Sequence, residues 1–180
     1  MEYYIHPTAI VEENVTIGAN TKIWHHAQVR TGAKLGQNCI IGKGAFIDAN
    51  VSIGDNVKIQ NYISVYHGVV IEDDVFLGPH CVFTNDLRPR AVGDWKLTET
   101  LVKKGASVGA NATIRCGITL GRYSMVGAGS VVVKDIPDYG LVYGNPARLN
   151  GYVCHCGERL SGNPHEEEQK CNACGKTIKI

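Results

Sequence analysis

The sequence predicts an all-β protein: a parallel β-helix wound from six-residue repeats, broken once by a protruding loop and followed by a small cysteine-bearing appendage. Three observations carry this. Aliphatic or aromatic residues recur at every sixth position from Ile5 to Phe83, the same beat returns from Val102 to Val132, and four of the seven cysteines cluster beyond residue 150.

The ladder reads Ile5, Val11, Ile17, Ile23, Val29, Leu35, Ile41, Ile47, Ile53, Ile59, Val65, Ile71, Leu77 and Phe83, then Val102, Val108, Ile114, Leu120, Val126 and Val132. An amphipathic helix needs spacings of three and four, and an ordinary strand an alternation of two, so a strict period of six demands a turn in every repeat. The turn chemistry is in phase. Glycine often follows the ladder residue (Gly18, Gly36, Gly42, Gly54, Gly78, Gly109, Gly121, Gly127), and Asn, Asp or Gly often lies two residues further on (Asn20, Asn38, Gly44, Asn56, Asn111, Gly129). These residue types tolerate the positive φ that a repeated corner demands. Small or β-branched residues such as Ala27, Ala33, Val51, Val57, Ala106 and Ala112 stand two positions before the ladder and suit a tight interior. The pattern is that of a solenoid in which three short strands and three corners make a coil of about 18 residues. Coils stacked about 4.8 Å apart bury the ladder and pair the backbone in parallel. The pattern does not set the hand, although general crossover rules favour a right-handed one.

At 180 residues and 44% hydrophobic content the chain suffices for one well-buried core and a small appendage. A net charge of +1 gives no global attraction to nucleic acid or to an acidic membrane surface, so an anion site has to be a local cluster of cations. The start "MEYYIHPTAI" lacks a basic stretch followed by an apolar run, and nowhere do 18 apolar residues run together. The expectation is a cytoplasmic protein without membrane insertion.

Residues 84–101 carry no repeat phase, and a segment this long without its own secondary structure is more often functional than accidental. With an 18-residue coil, Thr84 stacks over Tyr66, Asp48, Arg30 and Glu12, and Asn85 over His67, Ala49 and Thr31. The loop thus opens above a Tyr66–His67 edge. A second column holds Trp24 and Gln60, and its neighbour holds His25, Lys43 and Asn61.

The stretches "YYIHPTAIV", "IWHHAQV", "VKIQNYISVY", "FTNDLRPRA", "LVKKGASVGANATI" and "GNPAR" together resemble the nucleotide-sugar N-acetyltransferases of bacterial surface-polysaccharide (lipopolysaccharide, O-antigen) pathways, particularly those acting on a 3-amino sugar. The match spans residues 3 to about 150. The resemblance implies a left-handed β-helix, a homotrimer with each active site in a cleft between two subunits, and acetyl-CoA as co-substrate. The acceptor it implies is a UDP-2-acetamido-3-amino uronate or a dTDP-3-amino-3,6-dideoxyhexose. By family position His25, Gln60, Asn61 and Tyr66 are substrate contacts, with Thr84 at the mouth of the loop. Arg30 either meets a sugar carboxylate or phosphate or pairs with Asp48.

Many hexapeptide acyltransferases take their base from a histidine, and this loop contains none. Asn85 occupies the family's loop position; its carboxamide can orient an amine but is too weak a base to deprotonate it. His67 is the available alternative base, against the plainer reading of a surface or interface histidine. For acetyl-CoA, Lys104 and Arg122 lie one coil apart as a basic column, with Lys103, Arg115 and Arg148 in the same coils or just after them. Such an edge suits the phosphates of CoA. By family position the small residues Ala106, Gly109 and Gly127 let the pantetheine arm approach backbone amides.

Beyond "GNPARLNGY" the chain carries Cys154, Cys156, Cys171 and Cys174 as C-x-C and C-x-x-C pairs, with Gly157 and Gly175 just after each. Two such knuckles suit a tetrahedral structural Zn2+, which organises a segment too short for a core of its own. The shortened first pair leaves His155 or His165 as substitute ligands. The division expected is residues 1–150 for the β-helix and 151–180 for a zinc-ribbon-like module. Two other readings compete. A γ-class carbonic anhydrase needs three histidines converging on a catalytic zinc, for which His25, His26, His67 and His80 are raw material without suitable spacing. A non-catalytic scaffold with a docking module predicts no acetyl-CoA binding.

Overall fold

The computed structural model describes residues 2–162 and 168–180, and no helix occurs among them. Twenty strands of two or three residues, from Tyr4–Ile5 to Val131–Val132, each end on a ladder residue. Each pairs in parallel with the strand one coil on, so that three faces rise together. The first face begins Tyr4–Ile5, Lys22–Ile23, Ile40–Ile41; the second Ile10–Val11, Gln28–Val29, Phe46–Ile47; the third Thr16–Ile17, Lys34–Leu35, Ser52–Ile53. Register runs Tyr4↔Lys22↔Ile40↔Lys58, an 18-residue coil.

Two residues per repeat point inward. Ile23, Val29, Ile41, Ile47 and Ile59 are fully buried, and so are Ala27, Ala33, Val51, Val57 and Ala112, which fill the corners between them. The result is a single continuous core, at roughly 1.5–3 kcal/mol for each large aliphatic side chain taken out of water. Ile5, Val11 and Ile17 are only partly buried because no coil lies beneath them.

The corner residues divide into two kinds. Asn20, Asn38, Asn56 and Asn111 take φ near +60°, as the sequence predicts, and so do the bulkier His26, Tyr62, His80 and Tyr123. Glycines after the ladder behave differently from expectation. Gly42 has no positive φ; a Cβ there would stand 2.6 Å from the Gln60 carbonyl carbon in the next coil, so close stacking is what requires glycine.

The loop enters between Val82–Phe83 and Thr100–Val102, which makes it two residues shorter than the repeat phase indicates: residues 84–99. Ile71 pairs with Val102, 31 residues on instead of 18, so 13 residues are inserted without disturbing the stack. Beyond the twenty strands, Gly140–Gly144 continues the first face and turns through a cis Asn145–Pro146 bond into antiparallel Ala147–Tyr152. A hairpin of Glu168–Lys170 and Thr177–Lys179 ends the chain, with a separate small core of Cys154, Leu160, Cys171 and Ile178.

Candidate active site

The column beneath the loop assembles as the register predicts. Arg30 donates to Asp48 Oδ1 at 2.8 Å and lies 3.6 Å from Glu12. Asp48 is 9% exposed and also accepts the amides of Ala49 (2.8 Å) and His67 (3.1 Å). His67 Nδ1 lies 2.6 Å from the Ala49 carbonyl oxygen. A carbonyl only accepts, so Nδ1 carries the proton, and in the neutral imidazole Nε2 is then the acceptor. Burial pushes the Asp48 carboxyl up, but the amides of Ala49 and His67 and the Arg30 guanidinium outweigh it and hold the carboxyl below its ordinary value. A depressed folded-state pKa adds stability above the unfolded value of 3.8 that is lost as pH falls through the folded value. Asp48→Ala is therefore expected to lower unfolding stability at pH 7 by on the order of 2 kcal/mol. In urea titrations at descending pH, the gap from wild type should close below 3.8.

Above this column the loop closes on itself and on the coil. The Thr98 amide donates to the Asn85 carbonyl at 3.1 Å, and Leu97 lies over Gly68, where a Cβ would stand 2.8 Å from it. Thr84 is anchored, its hydroxyl accepting the Cys116 amide at 2.9 Å. The Asn85 side chain is half-buried and makes no hydrogen bond among the described residues, so its carboxamide is free to meet a ligand. Asp86, Leu87, Arg88, Lys96, Leu97, Thr98 and Glu99 enclose an open cavity of 720 Å3 inside the loop. Leu87, Val92 and Trp95 remain exposed at its tip.

His25, Gln60 and Asn61 come together elsewhere, in a 380 Å3 groove also lined by Trp24 and Lys43. Asn61 accepts the Lys43 amide at 2.9 Å, and His25 stacks on His6 with 3.5 Å between ring centroids. The Trp24 ring lies nearly parallel to that of His25 and rests against Tyr4. His6 and Trp24 thus extend the site into an aromatic edge; Trp24 shared a column with Gln60, which was the available signal, while nothing in the sequence singled out His6. The two clusters occupy different corners. The groove follows the first-face strands and the His67 column follows the second-face strands. Between them lies the second face, whose outward residues Ile10, Gln28, Phe46, Ser64, Val82, Thr113 and Val131 are all uncharged, while lysines stand on the other two faces.

Among the described residues, the one group of three or more potential metal-binding side chains is Cys154, Cys156, Cys171 and Cys174. Among the described residues of one chain, no three of His25, His26, His67 and His80 come together. His155 packs edge-on against Tyr123, and His165 lies outside the described residues.

Residues 14–49 and 50–85 match the family described as bacterial transferase hexapeptide (six repeats), and 104–134 match the hexapeptide repeat of succinyl-transferase. The chain is 50% identical to the dTDP-3-amino-3,6-dideoxy-alpha-D-galactopyranose 3-N-acetyltransferase of Aneurinibacillus thermoaerophilus, over 98% of this chain and 90% of the relative. The chain belongs to the hexapeptide-repeat nucleotide-sugar N-acetyltransferases. Its fold is shared with AntD, an N-acyltransferase from Bacillus cereus solved with dTDP and coenzyme A, at TM-score 0.71, 21% identity, and 77% and 84% of the two chains. A hexapeptide-repeat acetyltransferase of Vibrio cholerae O1 biovar eltor, complexed with acetyl coenzyme A, superposes at TM-score 0.60 with 28% identity over 68% and 72%.

In this N-acetyltransferase two of the residues expected at the CoA edge are already paired. Lys104 Nζ lies 3.2 Å from Asp74 and 3.8 Å from Asp73, and Arg122 Nε lies 2.8 Å from Asp138. The hydrogen bond and charge of Asp74 raise the Lys104 pKa, and those of Asp138 raise that of Arg122. Lys103, Arg115 and Arg148 make no ion pair among the described residues. Ala106, Gly109 and Gly127 stand within the stack of coils. Their amides donate to the carbonyls of Lys103, Val126 and Val142, and the Ala106 side chain is in the core. Where a Cβ on Gly109 or Gly127 would stand are Ala128 and Tyr143, so coil stacking accounts for their size. No helix among the described residues is long and apolar enough to cross a membrane.

Proposed function

We propose that the protein transfers the acetyl group of acetyl-CoA to the 3-amine of a dTDP-linked 3-amino-3,6-dideoxyhexose for surface-polysaccharide synthesis in the cytoplasm. The observation that carries this is the 50% identity along 98% of the chain to an enzyme named for that reaction. Arg30, the cation named for a sugar carboxylate, is already paired with Glu12 and Asp48, which supports the deoxyhexose over a uronate.

The catalytic unit is residues 1–150. Its amine acceptor is held by the Asn85 carboxamide oxygen, which accepts an N–H and turns the nitrogen lone pair toward the thioester carbonyl. As the C–N bond forms and the C–S bond breaks, the adduct loses a proton. His67 Nε2 takes that proton and returns it to the departing thiolate, leaving an amide and free CoA. Lys103, Arg115 and Arg148 supply cations for the CoA phosphates. His25, Gln60, Asn61 and Tyr66 contact the nucleotide sugar.

The assembly is a homotrimer. Three copies that turn their uncharged second faces to a common axis bring the Trp24–Gln60 corner of each against the Asn85–His67 corner of the next, which joins the two half-sites. Thiol release from acetyl-CoA, measured with dTDP-3-amino-3,6-dideoxyhexoses and UDP-3-amino uronates as acceptors, tests the reading. Turnover with the dTDP sugars is expected; turnover of the uronates alone, or no acetyl-CoA binding by calorimetry, would overturn it.

A further inference from the structure

The C-terminal cysteines take no part in the chemistry above, yet they are the most organised polar group outside it. Cys154 and Cys171 are buried, while Cys156 and Cys174 are exposed. Each pair sits in a knuckle closed by the glycine that follows it, the second one residue wider than the first. The Gly157 amide donates to the Cys154 carbonyl at 2.8 Å, and the Gly175 amide to the Cys171 carbonyl at 2.9 Å. Both glycines hold positive φ, +92° and +73°, and a Cβ on Gly175 would meet nothing within 4 Å, so the backbone conformation is what selects glycine there.

The sulfur positions discriminate among the uses of four cysteines. Cys154 and Cys174 Sγ are 3.5 Å apart, Cys156 and Cys171 Sγ are 3.6 Å apart, and all four lie within 4.8 Å of one another. A disulfide needs about 2.05 Å. A tetrahedron of thiolates at 2.3 Å from zinc places its sulfurs roughly 3.8 Å apart. An all-sulfur tetrahedral set selects zinc over the oxygen-seeking cations. The segment also needs an ion: half of its four-residue buried core is cysteine, too little apolar surface to hold about 30 residues in place.

We propose that Cys154, Cys156, Cys171 and Cys174 hold one zinc ion whose work is mechanical, clamping the C-terminal segment onto the last coils of the β-helix. The clamp has a visible seat. His155, within the first knuckle, meets Tyr123 edge-on at 5.9 Å; Tyr123 stacks on Tyr139 at 5.5 Å; and the Val153 amide donates to the Tyr139 carbonyl at 2.8 Å. A glycine is required beneath this stack, since a Cβ on Gly105 would enter the Tyr123 ring. With four protein ligands no coordination position remains for substrate, so the ion stays out of acetyl transfer.

The test uses the full-length chain purified under reducing conditions. Elemental analysis is expected to give one zinc per chain, and cobalt exchange the intense thiolate-to-metal absorption of a tetrahedral four-sulfur site. Removing the metal with a chelator should lower Tm by about 5–10 °C. His155→Ala keeps all four ligands, so it should keep the zinc and still lower Tm by a few degrees, separating the seat from the metal even if Cys171→Ser and Cys174→Ser fail to fold. The proposal falls if the reduced chain binds no zinc, carries iron in its place, or retains zinc with all four cysteines replaced. Chelation or His155→Ala without effect on Tm overturns the clamp.

Discussion

Asn85→Ala is expected to lower kcat/KM for the amino sugar about 10²-fold, with Tm unchanged and acetyl-CoA affinity within a factor of about three. The expectation rests on what the side chain does not do: it makes no hydrogen bond among the described residues, so the coil loses nothing when the carboxamide is removed. What is lost is the acceptor that fixes the amine's direction of attack. His67→Asn should fall at the low end of the usual 10²–10⁴ range for a proton acceptor, because a sugar amine is a better nucleophile than a hydroxyl. It should act on kcat and leave KM for the sugar alone. Steady-state kinetics of both variants with both substrates decide the matter. Full activity in Asn85→Ala with none in His67→Asn would end the positioning role for Asn85.

The solenoid could be read from sequence because each of its constraints is local and repeated. A ladder residue, a small interior residue and a corner residue recur in fixed phase, and twenty repetitions make any single exception harmless. Vertical neighbours followed from the same arithmetic, which is why the Glu12–Arg30–Asp48–Tyr66 column, the adjoining Ala49–His67 column and the loop above them could be read from the residues alone. What the arithmetic lacks is the direction of a side chain. It gave Lys104 and Arg122 as a basic column without the carboxylates of Asp73, Asp74 and Asp138, which lie within ion-pair distance of them. Smallness at Ala106, Gly109 and Gly127 looks the same in sequence whether a ligand or the next coil fills the space. His67 was a candidate base by position alone; its tautomer depends on the Ala49 carbonyl, a backbone atom that no residue pattern reveals.

The separation of the two clusters leads to the second large effect. His25 and Gln60 stand at one corner of the prism, Asn85 and His67 at the next, with the uncharged second face between them. A chain using both of its own corners would have to reach its substrate around that face, whereas in the proposed three-fold assembly each corner would meet its complement on the neighbour. A His25→Ala, Gln60→Ala double variant and Asn85→Ala should each retain about 1% of wild-type activity alone. Coexpressed in equal amounts and purified as mixed trimers, they should recover about one intact site in four, because each site draws one corner from each of two randomly chosen copies. Activity per chain is then expected near a quarter of wild type, far above either parent. If the mixed trimers show only the average of the two parents, each site is built within a single chain, and the arrangement of second faces around a common axis is wrong.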